Sequence, residues 1–236
     1  MENNWKKIWN GKSAAQIDDS SEFDAFKVLK RADGFDVAVE NENEYYQYFY
    51  DDWLRFYDKV SELSFDIKSV YEVGCGSGVN LYMFLNRGVH DLGGIDYSES
   101  LASNAREITG SEDIAQGDAN TVSIEKKYDL VMSESVFQYF SSVEYAETVL
   151  RKMLEKSKKL VYLGEVHDAE YEEELMEYRR RLISNYDENY KGLKKQFYQR
   201  GWIERIAREY GKSVEFTNVD NPQYLNGKYL FNCYIF

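Results

Sequence analysis

Proline is almost absent from this chain of 236 residues, with Pro222 its only example. With the glycines scattered as well, no linker stands out that would split the chain into two independent folding units, and its length suits one α/β domain with some decoration. Long apolar runs are missing too. None approaches the roughly 18 residues that a membrane helix needs, and Lys6-Lys7 near the start have no apolar stretch behind them, which argues against a secretory signal. Cysteine and histidine are scarce. Cys75 and Cys233 lie far apart in sequence and are expected to be free thiols, and with only His90 and His167 beside them a metal site is not expected. Basic charge is in deficit: 29 Lys and Arg against 42 Asp and Glu give a net charge of −13. A nucleic-acid partner needs a basic footprint for its phosphates, so that class of partner is not expected. The run Arg179-Arg180-Arg181 follows Glu172-Glu173-Glu174 and reads as part of a solvated helix. These absences predict a cytoplasmic protein acting on a small molecule, with no membrane and no nucleic-acid partner; oligomeric state is left open.

What is present is an ordered alternation. Residues 1–66 form an N-terminal helical extension in which Tyr46, Phe49, Trp53, Phe56, Val60 and Leu63 recur at helical spacing. This stripe predicts core or lid packing from Tyr45 to Leu63, with Trp5 and Trp9 as companions. Residues 67–236 read as strand and helix in turn. Strands are expected at Ser69–Val73, Leu92–Asp96, Ile114–Gln116, Leu130–Ser133 and Leu160–Val166, with helices at Val79–Asn86, from Ser98 to Ile108, and at Val143–Leu154. Such alternation implies crossover connections and a parallel sheet. The rhythm then breaks with a helical insertion, about 167–200, marked by Tyr171, Leu175, Tyr178, Leu182 and Tyr186. A further helix runs from Trp202 to Tyr210 and stops at Gly211. Strands Val214–Val219 and Tyr229–Phe236 close the chain as a hairpin.

The chemistry concentrates at the ends of these strands. Val70 to Asn80 reads VYEVGCGSGVN, a strand that turns through Gly74, Gly76 and Gly78 into a helix. Glycines allow tight turning and close ligand approach, and the helix start offers unpaired N–H groups. Val79 occupies the place where a dinucleotide fingerprint requires glycine, so NAD is not expected. The pattern E-x-G-x-G-x-G resembles motif I of the S-adenosylmethionine-dependent methyltransferases. Asp96 closes the second strand in GGIDYSES, Gly117-Asp118-Ala119 follows the third, and SESVFQYF follows the fourth, in the order that family uses.

The resemblance, to class I (Rossmann-like) enzymes and in particular to bacterial small-molecule methyltransferases, implies a seven-stranded sheet of order 3-2-1-4-5-7-6 with strand 7 antiparallel. It implies S-adenosylmethionine as cofactor and S-adenosylhomocysteine as product. Glu72, Gly74, Cys75, Gly76 and Gly78 would form the glycine-rich turn around the cofactor. Asp96, with Tyr97 and Ser98, would hold the ribose, Asp118 and Ala119 the adenine, and Ser133 and Glu134 the methionine end. The acceptor would be a small polar metabolite such as a sugar, nucleotide-sugar or natural-product precursor, methylated on oxygen or nitrogen. A cofactor-binding regulatory or scaffold protein, or an RNA or protein methyltransferase, are the alternatives. Asn221-Pro222-Gln223-Tyr224 resembles the signature of amino-methylating enzymes but lies between strands 6 and 7 rather than after strand 4, so it reads as a loop near the pocket. The fifth strand ends in Glu165, His167 and Asp168. His167 is the expected general base because its ordinary pKa lies near neutrality, with Glu165 or Asp168 orienting it and Glu134 as the rival.

Overall fold

The computed structural model describes residue 8 and residues 21–35, 40–63, 66–219, 221, 224 and 226–236. Trp5, Trp9, Pro222 and Gln223 lie outside the described residues. Seven strands form one sheet in the order β3-β2-β1-β4-β5-β7-β6. They are β1 (Ser69–Val73), β2 (Asp91–Asp96), β3 (Ile114–Gln116), β4 (Tyr128–Glu134), β5 (Ser157–His167), β6 (Val214–Asn218) and β7 (Leu230–Ile235). β1 pairs in parallel with both β2 and β4, and β4 with β5. β7 runs antiparallel between β5 and β6. All five residues of β1 are buried, as a strand covered on both faces requires.

Helices cover both faces. α1 (Glu22–Ala32), α2 (Glu42–Glu62), α3 (Val79–Leu85) and α4 (Glu99–Thr109) are followed by α5 (Val143–Lys156), α6 (Glu172–Leu182), α7 (Tyr186–Asn189) and α8 (Arg200–Glu209). α1 was not foreseen as a separate element, although its start carries the usual signals: Ser21 Oγ accepts from Asp24 N at 3.2 Å, and Glu22 and Asp24 sit in the first turn. Ser98 and Ser142 cap α4 and α5 in the same way. One core cluster joins α1, α2, α3 and α4 to one face of the sheet, and a second joins α5 and α8 to the other.

The aromatic stripe of α2 belongs to the first cluster. Phe56 packs on Tyr162 of β5 at 4.3 Å between ring centroids, and Trp53 on Phe84 of α3 at 5.3 Å. α2 is thus a layer of the core along most of its length, and each of its buried aromatics contributes roughly 1.5–3 kcal/mol. It is α1 that reaches the glycine-rich turn, through Asp33 at its C-terminal end. The insertion divides where Asn185 takes up a left-handed backbone, so the expected helix to Tyr186 stops at Leu182 and restarts as α7.

The consequence for ligands lies in the connections. The crossovers through α3 and α4 cover one face and the crossover through α5 the other, so the chain reverses direction between β1 and β4. In open α/β sheets a crevice forms at that point, beyond the carboxyl ends of the strands.

Candidate active site

The crevice is floored by the turn after β1. Gly74, Gly76 and Gly78 have φ of 76°, 53° and 88°, a region L side chains avoid. At Gly74 a Cβ would also collide with the Val136 side chain, so glycine is required there twice over. Glu72 sits beneath, 2% exposed; its Oε1 accepts from Asn80 Nδ2 at 2.7 Å while Oε2 has no partner among the described residues. Burial pushes its carboxyl well above the ordinary range, against the Asn80 hydrogen bond. Cys75 is buried and its thiol is likewise pushed up, which makes it an inert wall.

Asp96 stands at the end of β2 facing this turn. Its two carboxylate oxygens accept from Gly76 N and Ser98 N, each at 2.8 Å. Burial raises its pKa and those two N–H groups oppose the rise. Each oxygen keeps a second lone pair for a ligand hydroxyl. Beyond it Tyr97 is partly exposed and Ser98 is the buried cap of α4. Asp118 caps the short turn Ala119–Thr121, accepts from Asn120 N at 3.2 Å and also bonds the Tyr145 hydroxyl. Glu72, the three glycines, Asp96, Asp118 and Ala119 therefore all lie at the carboxyl ends of β1, β2 and β3. Sequence reasoning missed Asp33. Its carboxylate takes both the backbone N–H of Ser77 at 2.6 Å and the Ser77 hydroxyl at 2.9 Å. Burial lifts it to about 7, opposed by Ser77 and Lys30 and reinforced by Asp96.

On the other side of the crevice β4 and β5 end together. Ser133 is buried, its hydroxyl donating to Val73 O at 2.8 Å. Glu134 pairs with the buried Lys30 at 3.5 Å. Burial alone would lower the Lys30 ammonium, but Glu134, Glu165, Asp33 and Glu72 around it hold it above the ordinary lysine value. Ser135 and Glu165 both adopt left-handed backbone, with φ of 55° and 54°. Ser135 N donates to Gly164 O at 3.1 Å and the Ser135 hydroxyl bonds the Glu165 carboxyl. Glu165 lies where the β5–β7 register shifts. Left-handed backbone at a non-glycine residue costs on the order of 1–3 kcal/mol and collects at functional sites. Glu165 is 7% exposed; burial, then the charge of Glu134, raises its pKa to about 8 against Lys30. Tyr224, from the loop that resembles a displaced amino-methylation signature, donates to Glu165 and packs its ring on Phe49 at 5.5 Å.

The remaining strand-5 residues separate. Asp168 does not orient His167. It accepts from Arg200 Nε at 3.0 Å and from Glu170 N at 3.1 Å, capping the next turn. His167 is 2% exposed, faces Phe197 at 4.9 Å and has no partner for Nδ1 among the described residues. Burial, aided by Lys195 and Arg179, drives its pKa well below the ordinary imidazole value, so it is neutral at physiological pH. Arg179 was read as part of a solvated face. Instead it turns inward at 8% exposure while Arg180 and Arg181 stay exposed. The signal was available: Arg179 is four positions after Leu175, which is fully buried on the same face of α6.

Comparisons with known proteins agree with this geometry. Residues 70–159 match the family model described as a methyltransferase domain. A nonribosomal peptide synthetase of Metarhizium robertsii is 28% identical over 114 residues, 44% of this chain, and the match spans about 1% of that protein's length. Among solved structures, magnesium protoporphyrin IX methyltransferase of Synechocystis PCC 6803 superposes with TM-score 0.66 at 13% identity, covering 98% of this chain and 97% of the other. An amino pentose methyltransferase from Micromonospora, involved in calicheamicin biosynthesis, gives 0.59 at 14% identity, covering 84% and 98%. Residues 70–159, from β1 to the start of β5, thus match a methyltransferase domain, and the strand order, with the glycine-rich turn facing Asp96, is the fold of the class I S-adenosylmethionine-dependent methyltransferases.

Proposed function

We propose that the chain methylates an oxygen or nitrogen of a small polar metabolite, a sugar, nucleotide-sugar or natural-product precursor being the class that suits it. The residues fit the cofactor: Gly74, Gly76 and Gly78 of the turn carry no Cβ, and Asp96 keeps lone pairs for ribose hydroxyls. The partnerless Glu72 Oε2 sits beneath the same turn. Glu72, Gly74, Cys75, Gly76 and Gly78 would surround the cofactor, Asp96, Tyr97 and Ser98 its ribose, Asp118 and Ala119 its adenine, and Ser133 and Glu134 its methionine end. S-adenosylmethionine supplies a methyl group already activated on a sulfonium.

What remains for the protein is to orient the acceptor, exclude water and remove a proton where the acceptor carries one. Orientation in such reactions can supply roughly 7–11 kcal/mol. The observation that carries the reading is the bonded pair Ser135 and Glu165, held in left-handed backbone at neighbouring strand ends beside Glu134. Glu165 is placed to accept the acceptor's proton, with Glu134 and Lys30 setting its charge state. Neutral His167 is then a wall of the pocket, and Asp168 a structural cap. Incubating the protein with methyl-labelled cofactor and small-metabolite extracts tests the proposal. Label should appear in a low-molecular-weight product with the wild type and fall sharply with Glu165→Gln; label found only in RNA or protein would refute it.

A further inference from the structure

Two cations, Arg179 and Lys195, lie near Glu165. Arg179 on α6 is 8% exposed, and among the described residues its Nη1 has no hydrogen-bond partner. Leaving a buried guanidinium N–H unmet is costly, more so than for a neutral donor. Lys195, from the segment after α7, lies close enough to Arg179 for the two charges to repel, and its Nζ sits 5.0 Å above the Tyr139 ring. The backbone fixes that segment: Gln196 N donates to Gln138 O at 2.9 Å, and Tyr198 N to His167 O at 2.8 Å. Arg179 and Lys195 both act on His167, and Arg179 also on Tyr139 and Tyr224. These side chains are therefore neighbours in the space beside the His167 ring, and Tyr224 links them to Glu165.

We infer that this space is a binding site for an oxyanion, a carboxylate or phosphate carried by the methyl acceptor, with Arg179 as its principal ligand and Lys195 as the second. The guanidinium fork matches two oxygens of either group at once. Among the charges that act on Lys195, Glu165 opposes the cationic pair, and an oxyanion would be attracted by both cations. Burial and the Arg179 charge lower Lys195 to about 7, and a bound anion would restore its proton. Gln138 and His167 add specificity. Among the described residues the buried Gln138 Oε1 and His167 Nδ1 have no hydrogen-bond partner, and either could accept from a hydroxyl or amine of the ligand. The acceptor would thus lie with its reactive hydroxyl or amine toward Glu165 and its acidic group toward α6. The orientation, though not the anion site itself, rests on the methyltransferase reading.

The test uses the full chain saturated with S-adenosylhomocysteine and titrated calorimetrically with inorganic phosphate and, separately, with acetate, at constant ionic strength. Saturable binding of at least one is expected, the tighter of the two naming the oxyanion. Arg179→Gln should weaken it about tenfold or more, equivalent to ~1.4 kcal/mol, and Lys195→Met should weaken it as well. Arg180→Gln, on the exposed side of the same helix, should leave it unchanged. Absence of saturable binding in the wild type, or equal affinity in Arg179→Gln, would overturn the inference. Should Arg179→Gln misfold, Lys195→Met decides: unchanged phosphate and acetate affinity there overturns it. Failure to bind S-adenosylhomocysteine would instead count against the methyltransferase reading, and the phosphate and acetate titrations would still judge the anion site.

Discussion

Replacing Glu165 by glutamine should lower activity and raise stability at alkaline pH, and both effects come from one cause. The carboxyl is buried at the end of β5 beside Glu134, which raises it from 4.5 to about 8. That rise corresponds to roughly 5 kcal/mol between its protonated and ionised forms in the fold. In the unfolded chain the group ionises near its ordinary value, whereas in the fold it holds its proton until about 8. Between those values the unfolded state binds fewer protons, so stability falls as pH rises through the window. Glutamine keeps an acceptor for the Ser135 hydroxyl and never ionises. Its melting temperature should therefore match the wild type near pH 5 and exceed it above pH 8, with about 5 kcal/mol as the upper bound. Turnover moves the other way. The base form of Glu165 accumulates only as pH approaches 8, so kcat/KM for an acceptor that must lose a proton should climb to a plateau there. Glu165→Gln should lower the plateau by roughly 10²–10⁴-fold and remove that limb. Differential scanning fluorimetry across pH, paired with pH–rate profiles, checks both. Unchanged turnover in the variant, or a melting curve that tracks the wild type at every pH, would refute the role given to this residue.

Phe56→Ala should cost about 3–5 kcal/mol in urea unfolding, because Phe56 lies between Tyr162 and Phe84; a loss below 1 kcal/mol would contradict the place of α2 in the core. Gly74→Ala should destabilise by about 1–2 kcal/mol from its left-handed backbone alone, and by more from the clash with Val136; Gly74→Ala/Val136→Ala should recover the clash but not the backbone cost, as read by the same unfolding midpoint. Gel-shift titration with tRNA and duplex DNA should show no salt-sensitive binding, given the −13 charge. Submicromolar, salt-dependent affinity would displace the small-molecule assignment.

Much of the frame was legible because it is periodic. The aromatic stripe of α2, the alternation through β5 and the glycine-rich turn are local patterns, and the structure places them as read. Strand ends were less legible: β5 begins at Ser157 and β4 at Tyr128, since pairing with buried neighbours extends strands past their apolar stretch. α1 escaped because Lys27, Lys30 and Arg31 dilute its apolar face, yet Lys30 is buried there against Glu134. Arg179 escaped for the opposite reason, concealed in a run of three arginines of which only one points inward. The altered prospects of His167 and Glu165 were invisible to sequence, because a pKa depends on burial and neighbours that only the fold brings together. His167 looked like a base by its ordinary pKa, and burial is what removes that capacity.

On the function proposed above, the crevice between β1 and β4 holds S-adenosylmethionine, with Asp96 on its ribose. Isothermal titration of the wild type with S-adenosylhomocysteine and with NAD, repeated on Asp96→Ala, tests it most directly. The ribose hydroxyls would make two charge-assisted bonds to Asp96, on the order of 1.5–3 kcal/mol each. Saturable binding of S-adenosylhomocysteine, none of NAD, and a loss in Asp96→Ala of roughly 10²-fold or more is the predicted result. Binding of NAD in its place, or undiminished S-adenosylhomocysteine affinity in the variant, would contradict it.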